Sequence, residues 1–130
     1  MKRFLDSNIL VYAFTSDRRT FTARQLLADD FTISAQVLNE FVNVSRRKYK
    51  VDWDIIDDAV GKILDQAIDC ISLNETLNAK ARSLAQFQRL PFYDALILAT
   101  ALESDCDELI SEDFQNRQRF GSLTIVNPFV

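Results

Sequence analysis

The chain has 130 residues, with 19 acidic and 15 basic side chains, no histidine and a net charge of −4. That length suits one domain, residues 1–130, with a real core, and the 48% apolar share suits a globular protein. The missing histidine excludes zinc sites built on it, Ser-His-Asp triads and histidine general bases, and no apolar run is long enough to cross a bilayer.

The elements alternate along the chain. A strand at residues 2–6 leads into helical stretches from Asn8 to Phe14 and over 18–28. Phe31-Thr32-Ile33 reads as a strand, and Ser34 as the N-cap of a helix to Tyr49. Asp52 is the expected cap of the next helix, whose core face takes Trp53, Ile56, Val60, Ile63, Leu64 and Ala67 at helical spacing. Cys70-Ile71-Ser72-Leu73 reads as a strand, followed by a helix with Leu77, Ala81, Leu84 and Gln88 on one face. Pro91 breaks the chain before an apolar helix from Tyr93 to Glu103. Glu108-Leu109-Ile110-Ser111 and Leu123-Thr124-Ile125-Val126 are the last two expected strands. Strands separated by helices predict an α/β fold, a three-layer αβα sandwich around a mostly parallel sheet of four to five strands.

No linker, repeat or low-complexity segment interrupts this order. Cys70 and Cys106 lack CxxC spacing and read as free, buried thiols of an intracellular, cytoplasmic protein. The start, Met1-Lys2-Arg3-Phe4-Leu5-Asp6, meets an acid too soon for a signal peptide. The two glycines, Gly61 and Gly121, cannot build a phosphate-binding or dinucleotide loop.

Four acids stand in apolar surroundings where a solvated charge is out of place: Asp6, Glu40, Asp94 and Asp113. Asp6 and Asp113 follow strands, and parallel sheets bind ligands beyond the carboxyl ends of their strands. Each also has a plainer reading, Asp6 as a helix cap and Asp113 as the start of a turn. Glu40 is flanked on its helix by Val37 and Val44, so it either snorkels to water or needs a partner. Asp94 sits in the first turn of its helix, which suits the dipole, yet Ile97, Leu98 and Ala101 turn it towards the core side. If the four converge, repulsion raises their pKa values until a cation neutralises them, and oxygen ligands without histidine or cysteine select Mg²⁺ or Mn²⁺. One or two ions suit phosphodiester chemistry. Leaving these four aside, the chain is charge-balanced, and its bases cluster at Arg18-Arg19, at Arg46, Arg47, Lys48 and Lys50, at Lys80 with Arg82, and at Arg117 with Arg119. Such clusters are either solvated helix faces or a basic rim for a phosphate backbone.

These residues, in this order, resemble the PIN-domain nucleases, and in particular the toxin subunits of VapBC-type toxin–antitoxin pairs. The matching segments are Phe4 to Tyr12, Ser34 to Phe41, Phe92 to Ile97, Leu109 to Phe114 and Thr124 to Phe129. The resemblance implies a Mg²⁺- or Mn²⁺-dependent endoribonuclease that hydrolyses RNA, of the tRNA or rRNA class, by a metal-activated water. It implies Asp6, Asp94 and Asp113 as principal metal ligands and Glu40 as a direct or water-mediated ligand that orients the nucleophile. Ser111 and, more weakly, Asn8 would support them by hydrogen bonds. Arg46, Arg47, Lys48 and Lys50 are candidates for RNA-backbone contact. A cognate antitoxin whose tail covers the acidic site, and a homodimer, complete the implied partners; no membrane is involved. The chain departs from the family in having Tyr93 where Trp is frequent and Asn116-Arg117-Gln118 where a Gly often precedes the Gln. Two other readings stand beside this one: a non-catalytic PIN-type RNA-binding module, and a receiver-like Mg²⁺-binding signalling domain.

Overall fold

A computed structural model describes residues 1–130. Its twelve elements are β1 (Arg3–Leu5), α1 (Ser7–Ala13), α2 (Thr20–Leu27), β2 (Thr32–Ser34), α3 (Ala35–Arg47), α4 (Trp53–Gln66), β3 (Asp69–Ile71), α5 (Glu75–Gln88), α6 (Phe92–Glu103), β4 (Glu108–Ile110), β5 (Arg119–Phe120) and β6 (Leu123–Val126). They form one sheet in the order β3-β2-β1-β4-β6-β5, flanked by helices. Every pairing is parallel except that of β5 with β6. No helix is long and apolar enough to cross a membrane.

The sheet has six strands, one more than the sequence predicts. The extra strand, β5, is two residues long and folds back on β6 through Gly121, whose φ of 61° suits a residue without a Cβ. Two residues cannot show an alternating pattern, so nothing in the composition marks them.

The central strands bury both faces. Phe4, Leu5, Ile33, Leu109, Ile110, Leu123 and Ile125 are all within the core, as expected of strands covered on either side. Helices α1 and α2 pack together, α1 lies on α3, and α3 meets α4, while α5 and α6 form a second pair. Helix α6 is buried through the continuous run Ala95–Ala101, so it reads as apolar all round rather than striped. Leu77 and Ala81 of α5 cover it through Ala95, Leu96 and Ala99.

Several helix-face expectations shift. In α4 the buried stripe is Ile56, Ala59 and Ile63, while Trp53 is 57% exposed and Leu64 also faces water. Trp53 is the first residue of the helix and lies outside the packed turns, where Arg46 stacks over its ring at 5.0 Å. Asp52 stands at the N-cap but its side chain makes no capping bond, unlike Ser34, which accepts from the Val37 N–H at 3.3 Å. Gln88 is exposed, and Cys70 is only half-buried because β3 is an edge strand; Cys106 is buried.

Candidate active site

The strand order reverses direction between β1 and β4: from β1 the chain moves to β2 and β3 on one side, and β4, β6 and β5 lie on the other. At such a reversal, open α/β sheets bind their ligands in the crevice beyond the carboxyl ends of the strands. Asp6 is the first residue past β1, and Ser111, Glu112 and Asp113 follow β4. The Asp6 N–H donates to the Ile110 carbonyl at 3.0 Å, so the ladder runs up to the crevice and fixes the backbone on both sides of it.

Asp6 is 2% exposed, and both of its oxygens are bonded. Oδ1 accepts from the Ser7 N–H at 2.7 Å, which makes Asp6 the N-cap of α1, and Oδ2 accepts from the Ser111 hydroxyl at 2.7 Å. The buried Ser111 oxygen in turn accepts from the Asp113 N–H at 3.1 Å, so one hydroxyl ties the first acid to the segment that carries the last. Asn8, in the first turn of α1, donates from Nδ2 to Asp113 Oδ2 at 3.1 Å, and its own Oδ1 is buried with no partner.

Glu40 and Asp94 arrive on helices. Helix α3 begins at Ser34, directly at the end of β2, and Glu40 lies one and a half turns in, on the seam between buried Val37 and Phe41 and the polar face of Gln36 and Asn43. That seam explains why Glu40 is half-buried rather than enclosed by its flanking valines. Asp94 occupies the third position of α6, in the first turn.

The electrostatics bind the four into one group. Burial, followed by the Asp113 and Asp94 charges, pushes Asp6 up to about 6 despite the bonds from Ser111 and Ser7. Burial and the charges of Asp6, Asp94 and Asp113 push Glu40 up to about 7. Asp94 is raised by burial and by Asp113; Asp113 is raised by burial and by Glu112, against the lowering bond from Asn8. The acids thus share one field, and no three of them, as placed, form a ready-made metal-holding group. Two of the carboxylates are held by nearby donors, Asp6 by Ser7 and Ser111 and Asp113 by Asn8. The donor set still fits a hard divalent cation. It is all oxygen, its carboxylates are raised chiefly by burial, each carboxylate oxygen keeps a free lone pair, and Asn8 adds an unpaired oxygen.

The basic cluster does not join the acids. It lies at the far end of α3, where Arg46 Nη1 donates to the Val51 carbonyl at 2.8 Å and closes the α3–α4 connection. Arg46 is thereby committed to structure. Arg47, Lys48 and Lys50 are exposed, Lys48 lying 5.4 Å from the Tyr49 ring. Only Arg47 continues the Glu40–Asn43 face of the helix, by its spacing of four from Asn43 and seven from Glu40.

Sequence reasoning missed a second group. The Tyr12 hydroxyl bonds to Glu112 Oε1, and the Arg19 guanidinium lies 3.9 Å over the Tyr12 ring. Arg19 also reaches Glu112 Oε2 at 3.4 Å and Asp17 Oδ1 at 2.8 Å. This clamp holds Glu112, the residue between Ser111 and Asp113, against α1 and the segment before α2. Glu112 beside Asp113 was the one visible hint; its partners lie 93 and 100 residues away and share no local period with it.

A mostly parallel αβα sandwich with one buried carboxylate, Asp6, and three more acids sharing its field defines the class: an acid-centred α/β domain. The family model for the PIN domain matches residues 3–119, and the chain belongs to that family. Its fold is similar to that of Mycobacterium tuberculosis VapC20, a sarcin–ricin loop cleaving toxin, at TM-score 0.70 and 19% identity over 85% of this chain and 91% of that one. A toxin–antitoxin complex from Klebsiella pneumoniae is similar at TM-score 0.72 and 25% identity, covering 97% of both chains. VapBC2 from Rickettsia felis, bound to a DNA fragment from its promoter, is similar at TM-score 0.67 and 22% identity over 96% of this chain and 97% of that one. No curated protein matches the sequence. Family membership sets aside the receiver-like reading.

Proposed function

We propose that the chain is a divalent-metal-dependent endoribonuclease and the toxin half of a toxin–antitoxin pair. One observation carries this: the crevice at the β1–β4 switch point, where Asp6, tied through Ser111 to the Asp113 segment, shares its field with Glu40 and Asp94. Asp6, Asp94 and Asp113 are the principal oxygen ligands of one or two Mg²⁺ or Mn²⁺ ions, with Glu40 a direct or water-mediated one. A divalent ion held by these carboxylates would supply Lewis-acid polarisation of a phosphoryl oxygen and a more acidic water. Ser111 and Asn8 hold Asp6 and Asp113 against rotation. Glu40, half-buried and raised towards neutrality, orients the attacking water and takes its proton. The proposed substrate is structured RNA of the tRNA or rRNA class, which is consistent with the activity named for VapC20. The proposed partners are a second copy of the chain and an antitoxin that covers the crevice, consistent with neighbours solved as toxin–antitoxin complexes.

The test is incubation of the antitoxin-free protein with total cellular RNA in Mg²⁺ or Mn²⁺, in EDTA, and beside Asp94→Asn. Discrete fragments that need the metal and fall at least about a hundredfold in the variant are the expected result. A folded, metal-bound protein that leaves all RNA intact, or a variant as active as the parent, overturns the reading.

A further inference from the structure

The face of α3 that carries Glu40 is lined with amides. Gln36, Asn39 and Asn43 surround Glu40 at helical spacing, and Tyr93 completes the groove, which encloses about 350 Å³. None of the three amides takes part in the hydrogen bonds of the fold, so their donors and acceptors are free for a ligand. Tyr93 is 59% exposed, yet its ring is braced edge-on against Phe92, with centroids 5.6 Å apart and planes at 66°. It immediately precedes Asp94, and the groove includes Glu40, so the recess abuts two of the four acids.

The lining decides what fits. Four of the five residues are polar, which disfavours an apolar peptide. No cation lines the groove and Glu40 does, which disfavours a phosphate. A flat, uncharged group with hydrogen-bonding edges suits both features, because every base has a π-face for an aromatic platform and an edge for amides. We propose that this groove is a nucleobase subsite beside the scissile phosphate. Tyr93 is its stacking platform, and Asn39 and Asn43 read the edge of the unstacked base. Arg47, one turn beyond Asn43 on the same face, meets the phosphate that follows. The inference rests on the ribonuclease reading of the four acids.

Two measurements test it separately from that reading. The first is binding of fluorescently labelled single-stranded RNA in EDTA, where no cleavage takes place, followed by anisotropy. Tyr93→Ala is expected to weaken binding about tenfold and Tyr93→Phe by less than about twofold, since the ring rather than the hydroxyl does the stacking. Unchanged binding by Tyr93→Ala, with thermal midpoint preserved, overturns the platform whether or not the protein cuts RNA. The second is kcat/KM on oligonucleotides that differ only at the nucleotide flanking the mapped cleavage site. Asn43→Ala and Asn39→Ala are expected to flatten the preference among the four bases by about five- to tenfold while Mn²⁺ affinity stays at the parent value. A base preference identical to the parent's in both variants overturns the edge-reading role.

Discussion

Removing the negative charge at Asp6 should stabilise the metal-free protein, and by an amount that depends on pH. Asp6 is enclosed, and burial is the largest reason that its carboxyl titrates at about 6 rather than at its ordinary 3.8. A displacement of that size corresponds to about 3 kcal/mol at about 1.36 kcal/mol per pH unit. The sign follows from proton counting. Between about pH 4 and 6 the folded state binds the proton that the unfolded state has released, so stability falls as pH rises. The protonated form's contribution is fully present below 3.8 and lost once pH passes about 6. Asp6→Asn retains an acceptor for the Ser7 N–H but disturbs the bond from Ser111, at a cost of about 1 kcal/mol. The net expectation in EDTA at pH 8 is a gain of about 2 kcal/mol, or roughly 6–10 °C in midpoint for a chain of this size. The gain should shrink through pH 6 to 4 and reverse below that. Thermal or urea unfolding across pH 4–8 measures it, and Mn²⁺ supplies the complement: at a hundred times its Kd it should stabilise the parent by about 2.7 kcal/mol and the variant far less. A variant less stable than the parent at pH 8 in EDTA, or a difference flat across pH, would refute the reasoning.

Three further outcomes follow from named contacts. Ser111→Ala strips a bond from buried Asp6 and another from the Asp113 N–H, so urea unfolding in EDTA should show a loss of about 1–3 kcal/mol, with Ser111→Thr closer to the parent. Arg47→Ala should weaken RNA binding across all sequences and lower the slope of log K against log salt by about 0.7, whereas Arg46→Ala should cost stability instead, because that guanidinium serves the Val51 carbonyl. Arg89 ends α5 in the left-handed region at φ 54° and ψ 50°, so Arg89→Gly should raise stability by about 0.5–1 kcal/mol in urea unfolding; a loss would mean that the Arg side chain does more than terminate the helix.

What could be read from the sequence was what repeats locally. Ser34 as a cap, the breaks at Pro91 and the apolar run of α6 all follow from short-range rules, and they placed the parallel sheet. Asp6 and Asp113 were legible as a pair because each ends a strand, and the topology sets those strands side by side. The misses have the opposite character. Trp53 sits at helical spacing with Ile56 and Val60, yet the first turn of α4 projects past the core, so period alone gave the wrong burial. Strand β5 is too short to carry a pattern. The Tyr12–Arg19–Glu112 clamp joins residues about a hundred positions apart, and no window of the chain contains both ends.

The charge balance shows the same limit at the scale of the whole molecule. A net charge of −4 argues against a nucleic-acid partner if charge is treated as spread evenly. Four of the nineteen acids share one field, in which burial raises every one of them and repulsion within the group adds to the rise at Asp6, Glu40 and Asp94. The rest of the surface is balanced, and Arg47 continues the amide-lined face that leads away from the crevice. Affinity for a polyanion is set by this local arrangement rather than by the total. The binding of RNA should therefore respond far more to the loss of Arg47 than to the loss of an equal charge at Lys62, an exposed base on α4 that lines a different recess with Ala13, Arg24 and Gln66.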